Sequence, residues 1–457
     1  MAHVPGHMIQ RAGQRALALA MLILLVACSG GSAEASRARG QLLAPPVLVA
    51  TWEPAQIDDV AEALGVHELA GAARCKVRLF SMEYATPGAH GEPGASASAA
   101  LLLPQPTDNT ETAETHACTG ELPLLAYARG TEVDRNRTLA STDDFETSLL
   151  LAFFAAQGYA VVATDYLGYA GSDYPFHPYL HASSEASTVL DSLAAARTAI
   201  GDEAGRDVSA TFLAGYSQGG HASMAAQRAA ESSDAGNQPR IAAAAHLAGL
   251  YDLDALLQER QAWPGYRLIV PFLLTSWQKV YGDIYLQPLD AFRPPYAARI
   301  ANLLPAPGAS LADLIAAGLL PGGTPAQARD ALMQPAFLRV MQEGDAGAPV
   351  RVAARANSLM DWQPRAPVLL CGAHGDRIVP PRVHQLPLAA RWRAQGVRHL
   401  ASVDVGAQIA ARHGAQAAAA PQDAAAPGYA AAWGTYHGLY EPPFCLAAAR
   451  AWFDRAR

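Results

Sequence analysis

The sharpest local signal in the chain is the segment Gly215-Tyr216-Ser217-Gln218-Gly219. An apolar run of strand length, Ala210–Tyr216, leads into it, and a segment of helical periodicity, Ser217–Ser232, continues from it. A serine on such a strand-to-helix turn takes a strained backbone, and glycines on either side let the strand and the helix approach. The helix N-terminus then lies beneath the hydroxyl and favours developing negative charge. We therefore expect Ser217 to be a nucleophile.

A serine hydroxyl needs a base, and the base needs an acid to orient it. On turns of this kind the chain order is Ser, then Asp or Glu, then His. Asp376 follows the buried run Val368–Gly372, where that acid is expected. Two rivals are less well placed: Asp361 precedes this run, and Asp404 lies inside the next predicted strand, Leu400–Val405. Asp376 is the predicted acid.

Four histidines follow Asp376, and the base must be one of them. His384 lies in a predicted helix, Pro380–Gln395, and His399 at the start of a strand. His437 lies between the last strand and a closing helix, Pro442–Arg455, where a loop can present an imidazole over the serine. His437 is the predicted base, with His413, next to an Ala-rich segment at 413–427, as the alternative. His181, His221 and His374 are interpreted as structural.

An oxyanion intermediate needs two backbone N–H donors. One is expected from Gln218, directly after the nucleophile. The other is expected from the loop after the buried run Leu122–Ala128, at Gly130 or Thr131, between which the sequence does not choose.

Elements of the right kind surround these residues. Apolar runs of strand length alternate with helical segments, which predicts a mostly parallel sheet with helices on both faces. The predicted strands are Cys75–Tyr84, Ala97–Leu103, Leu122–Ala128, Ala160–Asp165, Ala210–Tyr216, Ile241–Ala248, Val368–Gly372 and Leu400–Val405. The main predicted helices are Phe145–Gln157, Glu185–Ile200, Ser217–Ser232, Pro380–Gln395 and Pro442–Arg455.

One interval breaks this rhythm. Residues 250–364 hold only helical stretches, such as Leu311–Leu320 and Gln327–Met341, and an insertion of that length indicates a subdomain. We predict a helical cap there, over a core made of residues 47–249 and 365–457. The apolar runs Leu268–Leu274 and Leu311–Leu320 either line an acyl pocket or bury the cap against the core. The aromatic segment 173–177 is expected near the mouth of the site or in loop packing.

Several stretches together resemble the secretory lipase family, the lipase A group and its bacterial relatives. They are residues 126–131 (AYARGT), 164–168 (TDYLG), 177–180 (HPYL), the turn at Ser217, the Asp376 turn and 437–440 (HGLY). The resemblance implies an α/β-hydrolase fold with a helical cap and hydrolysis of carboxylic esters, often lipid esters. Ser217, Asp376 and His437 match the family's triad positions. Relatives usually carry His where this chain has Arg129; a structural ion pair is the preferred interpretation of Arg129, and a substrate contact the alternative.

The N-terminus predicts export. Arg11 and Arg15 precede a 12-residue apolar stretch, Ala16 to Ala27, which is too short to span a membrane. Together with Cys28 it resembles the lipobox of bacterial lipoproteins, whose Cys is acylated. We expect a signal peptide over 1–27, a flexible tether over 28–46, and a lipid anchor in the bacterial envelope, in the outer membrane. The alternative is a secreted or periplasmic protein.

Export would place the remaining cysteines in an oxidising compartment. Four cysteines allow three pairings. We expect Cys75–Cys118 and Cys371–Cys445, because each pair joins segments that the predicted fold brings together. The alternative is that one or more stays a small buried hydrophobe.

Composition excludes some functions. The net charge of −8, or −10 without Arg11 and Arg15, argues against a nucleic-acid partner, which favours a basic face. No metal-ligand spacing and no phosphate-binding glycine loop occurs, so we expect no metal and no cofactor. The predicted activity is serine-dependent hydrolysis of carboxylic esters through an acyl-enzyme, with lipid or acyl esters as the expected substrates. The alternatives are a peptidase or acyltransferase on the same triad, or a non-catalytic surface-binding lipoprotein.

Overall fold

The computed structural model describes residues 1–2, 37–107, 118–232 and 239–457, except for the side chains of 415 and 417–419. The chain divides into two units, Met1–Arg37 and Ala38–Arg457, and the second contains the fold. The predicted signal peptide, Cys28 and most of the predicted tether lie outside the described residues. Among the helices described, none is both long and apolar enough to cross a membrane.

A nine-stranded sheet forms the centre of the second unit, in the spatial order β1-β2-β3-β5-β4-β6-β7-β8-β9. The strands from β5 and β4 through β9 are parallel, and β1, β2, β3 and β5 pair antiparallel. The strands are β1 Val47–Trp52, β2 Lys76–Thr86, β3 Ala95–Gln105, β4 Leu122–Ala128, β5 Ala160–Tyr166, β6 Val208–Tyr216, β7 Ile241–Leu247, β8 Val368–Gly372 and β9 Leu400–Asp404. The predicted mostly parallel α/β fold is confirmed.

Helices cover both faces of the sheet. Before the insertion they are α1 Pro54–Ala63, α2 His67–Ala70, α3 Phe145–Phe153, α4 Ala182–Ala204 and α5 Gln218–Ser232. In the insertion they are α6 Leu253–Leu257, α7 Ile269–Tyr281, α8 Pro288–Ala291, α9 Leu311–Ala316, α10 Pro325–Leu332, α11 Pro335–Glu343 and α12 Pro349–Asn357. After it they are α13 Gln385–Ala394, α14 Gly406–Ala419, α15 Tyr429–Thr435 and α16 Glu441–Asp454.

The sheet divides the core into two apolar layers. Along β3, Leu101 and Leu103 pack in one layer while Ala100 and Leu102 pack in the other, because successive side chains of a strand point to opposite faces. Helices α4, α5 and α13 and the insertion complete the first layer, and α3 and α16 complete the second. Ser217 and Asp376 follow the carboxyl ends of β6 and β8, in a sheet whose two faces are both covered.

The region before β2 differs from the prediction. The tether predicted over 28–46 is wrong at its carboxyl end, because residues 40–43 pair with β2: Gly40 N–H donates to Ala85 O, and Leu42 forms a bridge with Tyr84. Arg39 also forms an ion pair with the mostly buried Asp191. Strand β1 was not predicted as a strand, because its pattern, VLVATW at the sheet edge with partly exposed side chains, lacks a continuous buried run.

Several helix boundaries also differ, each at a proline or glycine. Residues 327–341, predicted as one helix, form α10 and α11, which are separated at Pro335. The helix predicted from Leu311 to Leu320 ends at Ala316, and Gly318 has a φ of 68°. The helix predicted from Pro380 begins at Gln385. The insertion nevertheless consists of helices from Leu253 to Asn357.

Both predicted disulfides are present. Cys75 and Cys118 have Cα atoms 5.5 Å apart, and Cys371 and Cys445 have Cα atoms 5.7 Å apart. The first joins the start of β2 to the segment before β4. The second joins β8 to α16 and therefore links the two chain segments on either side of the Asp376 turn and His437.

Candidate active site

The nucleophile turn has the geometry that its glycines predict. Ser217 lies between the end of β6 and the start of α5 and has a φ of 58°, a region that side-chain-bearing residues rarely adopt. A Cβ at Gly215 would lie 2.1 Å from Gly219 O, and a Cβ at Gly219 would lie 1.8 Å from Ala128 O. Only glycine fits at either position, so the tight packing of the helix against the strands depends on both.

A continuous chain of hydrogen bonds joins Ser217, His437 and Asp376. The Ser217 Oγ lies 2.8 Å from His437 Nε2, and His437 Nδ1 lies 2.7 Å from Asp376 Oδ2. All three side chains are buried, with relative exposures of 6%, 7% and 1% in that order. With Nδ1–H donating to Asp376, Nε2 is left as the acceptor for the serine proton.

Asp376 is held as an anion. Its Oδ1 accepts hydrogen bonds from the N–H groups of Ile378, at 2.7 Å, and Val379, at 3.1 Å. Burial acts against ionisation, but the His437 imidazole and these two donors outweigh it and lower the pKa of Asp376 from its ordinary value. The turn after β8 thus supplies both the acid and the donors that keep it charged.

His437 does not lie in the predicted loop. It occupies a π-helical turn, Tyr436–Tyr440, that joins α15 directly to α16. Turns of this type insert an extra residue into a helix and occur often at functional sites. The prediction was wrong because the segment from Tyr429 to Asp454 is continuously helical.

The rival acids and bases lie elsewhere. Asp404 pairs with His374 at 3.0 Å on the surface, and Asp361 pairs with Arg391. His413, the alternative base, stacks on Tyr440 with ring centroids 4.3 Å apart. The buried His384 accepts a hydrogen bond from the backbone N–H of Asp252 through its Nδ1, and the backbone carbonyl oxygen of His399 accepts one from Val368 N–H.

The loop after β4 carries the two candidate oxyanion donors. Gly130 N–H donates to the Glu146 carboxylate at 3.1 Å, which occupies that donor. Thr131 lines the same cavity as Ser217, and its hydroxyl bonds the Tyr179 hydroxyl at 2.8 Å. The geometry favours Thr131 N–H as the second donor beside Gln218 N–H.

Glu146, which no sequence pattern singled out, anchors this loop. Its carboxylate also accepts from Tyr127 and from Arg137, and Arg137 contacts Glu132 and Asp144 as well. Burial opposes the charge of Arg137, but the three carboxylates outweigh it and raise the pKa of that guanidinium. The cluster fixes the loop against the first turn of α3.

A buried polar network holds the side chain of Gln218. Its Nε2 donates to Glu185 Oε1 at 2.8 Å and lies 2.7 Å from Nε2 of His177, whose Nδ1 faces Leu167 O at 2.9 Å. Burial lowers the pKa of His177 to about 3, so the ring is neutral, with a proton on Nδ1 and a lone pair on Nε2.

The network continues from Glu185 into the insertion. Glu185 Oε2 lies 2.6 Å from His221 Nδ1, and His221 Nε2 donates to Asn357 O at 2.8 Å. His221, which the sequence led us to expect as structural, makes these two buried hydrogen bonds one helical turn from the nucleophile. Asn357 belongs to α12, so the insertion is hydrogen-bonded to the helix that Ser217 precedes.

Arg129 forms no ion pair in the described part of the chain, contrary to the preferred interpretation. The fully buried guanidinium lies over the Tyr169 ring, 4.2 Å from its centroid, and Nη2 contacts Asp165 O at 3.4 Å. Its Nε and Nη1 have no hydrogen-bond partner among the described residues. Arg129 does not line the cavity at Ser217, so a direct substrate contact is not supported either.

A cavity of about 420 Å³ opens at Ser217. Its lining includes three carboxylates, Asp143, Asp144 and Glu146, together with Arg137. The apolar part of the lining is Leu268, Ile269, Ile378 and Pro442. The first of the two apolar insertion runs thus contributes to the cavity. In the aromatic segment 173–177, Tyr174 bonds Glu92, as in loop packing, whereas His177 reaches the nucleophile helix.

Comparison with known proteins identifies the family and the fold. A family model described as secretory lipase matches residues 136–247. The crystal structure of the rice cell wall degrading esterase LipA from Xanthomonas oryzae is 30% identical, has a TM-score of 0.74, and covers 92% of this chain and 100% of its own. The chain belongs to the secretory lipase family.

More distant structures share the fold of this secretory lipase family member. A hydrolase from Legionella pneumophila is 19% identical, with a TM-score of 0.71 over 91% of this chain and 98% of its own. Candida antarctica lipase A is 16% identical, with a TM-score of 0.52 over 80% of this chain and 76% of its own. No curated protein matches. Family membership makes the protein an ester hydrolase of the lipase and esterase class.

Proposed function

We propose that this secretory lipase family member hydrolyses carboxylic esters through an acyl-enzyme on Ser217. The observation that carries the proposal is the unbroken hydrogen-bond chain from Asp376 through His437 to Ser217 Oγ. His437 Nε2 takes the serine proton as the oxygen attacks the ester carbonyl carbon, and Asp376 stabilises the imidazolium that forms. The imidazolium then protonates the leaving alcohol.

Deacylation follows the same route. A water molecule gives a proton to His437 and attacks the acyl carbon, and the serine oxygen leaves with the proton that His437 returns. In both steps the oxyanion accepts from the N–H groups of Gln218 and Thr131. The buried Glu185 and His177 hold Gln218, and Glu146 holds the loop before Thr131, so both donors are preorganised.

The cavity indicates the kind of ester. Leu268 and Ile269 of the insertion offer an apolar surface for an acyl chain, which supports a cap role for residues 250–364 over the core. The carboxylates of Asp143, Asp144 and Glu146 outnumber the one Arg137 charge in the same lining and disfavour negatively charged substrates by like-charge repulsion. Neutral lipid or other acyl esters are therefore the proposed substrates, and the fatty acid product, once ionised, is repelled from the site.

For location, we propose export and acylation at Cys28, which would anchor the enzyme to the bacterial envelope. The support is the lipobox-like sequence that ends at Cys28, together with membership of a secretory family. Growth with a radiolabelled fatty acid tests it. Label in wild-type protein but not in Cys28→Ala supports the anchor, and equal labelling of the two contradicts it.

The activity test is hydrolysis of p-nitrophenyl esters from acetate to palmitate by purified residues 29–457. Ser217→Ala should lose at least a thousandfold in kcat, because the triad acts as a unit. Ser223→Ala is the matched control: Ser223 is also a buried serine, lies in helix α5 directly after the nucleophile turn and does not line the cavity, so this variant should remain active. Full activity in Ser217→Ala, or inactivity of wild type across the whole series, would overturn the proposal.

A further inference from the structure

Glu441 is a buried carboxyl group that the proposed mechanism does not use. It is the first residue of α16 and directly follows the π-helical turn that carries His437. Its exposure is 0%, and neither of its carboxyl oxygens makes a close, well-aligned hydrogen bond to a described residue, although Asp376 and the backbone N–H of Ala373 are near neighbours. Burying an isolated carboxylate is strongly unfavourable, whereas a neutral carboxyl group is tolerated.

The position of Glu441 next to the triad determines which group is charged. One carboxyl oxygen of Glu441, one of Asp376 and one ring nitrogen of His437 all lie within 4.8 Å of one another. Two carboxyl groups so close in a buried site do not both ionise. Asp376 already accepts two backbone N–H groups and the His437 imidazole, so Asp376 is the anion and Glu441 keeps a proton.

The other charged or titratable groups nearby do not reverse this assignment. Burial first, and then the Asp376 charge, raise the pKa of Glu441 well above its ordinary value. Asp404 adds a smaller effect in the same direction. Three phenols lie near Glu441, those of Tyr216, Tyr251 and Tyr436, and burial raises the pKa of each above its ordinary value. The backbone N–H of Ala373 is the group that favours ionisation, and its effect is smaller than those of burial and Asp376.

We propose that Glu441 is a positioning residue whose neutral carboxyl group packs against the Asp376 carboxylate and keeps it directed at Nδ1 of His437. The proposal rests on the proposed triad. Glu441 does not contact the substrate, and its proton is not transferred during the reaction. Its ionisation would place a second anion beside Asp376, and the repulsion would displace Asp376 from the imidazole.

The pH profile of kcat/KM tests this role. Glu441→Gln replaces the acid by a neutral group of the same shape, so activity at neutral pH should stay within about threefold of wild type. Wild type should lose activity at alkaline pH as Glu441 ionises, and Glu441→Gln should retain it at least one pH unit higher. A merely structural role would leave the alkaline limb where it is.

Two variants complete the design. Asp191→Asn removes another buried carboxyl group with a raised pKa, remote from the triad, and should keep the wild-type alkaline limb. Glu441→Met also removes the titration, and serves if the glutamine variant does not fold. An unshifted alkaline limb in a folded Glu441 variant overturns the inference. Because Ser217→Ala tests the triad separately, a failure of the proposed function can be distinguished from a failure of this inference about Glu441.

Stability provides a second measurement with a defined sign. An unfolded glutamate ionises near 4.5, whereas folded Glu441 stays neutral to higher pH. Wild type therefore loses stability relative to Glu441→Gln as pH rises above 4.5, until Glu441 ionises in the folded state. The melting temperature of Glu441→Gln minus that of wild type should increase from pH 4.5 to pH 7. A difference that does not change with pH would contradict a protonated Glu441.

Discussion

The Tyr216 hydroxyl donates a hydrogen bond to the backbone carbonyl oxygen of His437, with a donor–acceptor distance of 2.5 Å. The two rings also pack, with centroids 5.1 Å apart. Tyr216 immediately precedes Ser217, so the residue next to the nucleophile holds the backbone of the proposed base. The contact ties the end of β6 to the π-helical turn.

Tyr216→Phe should separate this positioning effect from the chemistry. It leaves the His437 carbonyl oxygen without its partner, at a cost of about 1–3 kcal/mol in the free energy of unfolding. We expect kcat to fall roughly tenfold with KM little changed, since phenylalanine keeps the aromatic ring with which Tyr216 lines the cavity. Tyr159→Phe is the control, because it removes a comparable bond to Asp454 and should lower stability but not kcat. Equal kcat in the two variants would refute the positioning effect.

The network around Glu185 predicts that the hydrogen bonds of this side chain contribute more to stability and activity than its negative charge does. In Glu185→Gln, the amide oxygen still accepts from Gln218, and the amide NH₂ donates to His221 Nδ1, so activity should be largely kept. Glu185→Leu leaves the buried side chains of Gln218 and His221 without this hydrogen-bond partner. It should lower the free energy of unfolding by about 3 kcal/mol or more and lower kcat at least tenfold.

Glu203→Leu, on the same helix, is the control for Glu185→Leu. Glu203 forms a partly exposed ion pair with Arg78, and its loss should cost less than about 1 kcal/mol. Urea unfolding and ester hydrolysis measure both effects. If Glu185→Gln were as damaged as Glu185→Leu, charge rather than hydrogen bonding would be the essential property.

The disulfides should differ in function more than in stability. They close loops with sequence separations of 43 and 74 residues, and each is worth roughly 4 kcal/mol by loop-closure entropy. Removing Cys371–Cys445 by double alanine substitution should also lower kcat, because this bond joins the strand before Asp376 to the helix after His437. Removing Cys75–Cys118 should leave kcat near wild type. The two kcat values are compared at a temperature where both variants are folded. Equal values would contradict the predicted functional difference between the two disulfides.

Asp376→Asn should lower kcat by about 10⁴, because an amide does not hold the required imidazole tautomer. Its stability relative to wild type should depend on pH. The pKa of Asp376 is lowered from 3.8, so wild type gains stability from this carboxylate above pH 3.8 and loses it as pH falls through the folded value. Each unit of pKa shift is worth about 1.4 kcal/mol. Denaturant unfolding from pH 3 to 7 measures the difference; a constant difference would show that Asp376 gains no charge stabilisation on folding.

The parts of the fold that could be predicted have strong local patterns. Strands β4 and β8 match the predicted residues, because both are short apolar runs buried on both faces. The Ser217 turn was identifiable because its glycines are sterically required. Asp376 and His437 were predicted from chain order, from their positions after predicted strands and from the family resemblance, since nothing in the residues around them specifies the distance between them.

The remaining features depend on contacts that a pattern does not encode. The π-helical turn at His437 depends on how α15 meets α16, and its sequence also suits a loop. Glu441 and Glu185 look like ordinary exposed acids of amphipathic helices, yet both are buried by packing from other elements. Arg129 was expected in an ion pair because buried cations are usually paired, whereas here an aromatic ring and a carbonyl oxygen surround it.

The contact between Gly219 and the Ala128 carbonyl oxygen has a consequence for how this enzyme can change. Through this contact the backbone of the helix that supplies Gln218 packs directly against the backbone of the strand that leads to Thr131. The spacing of the two proposed oxyanion donors then depends on backbone contacts that require glycine at position 219, and not on the side chains of the apolar cavity lining. Substitutions at Leu268, Ile269 or Ile378 can reshape the acyl pocket over evolutionary time while that spacing is inherited unchanged.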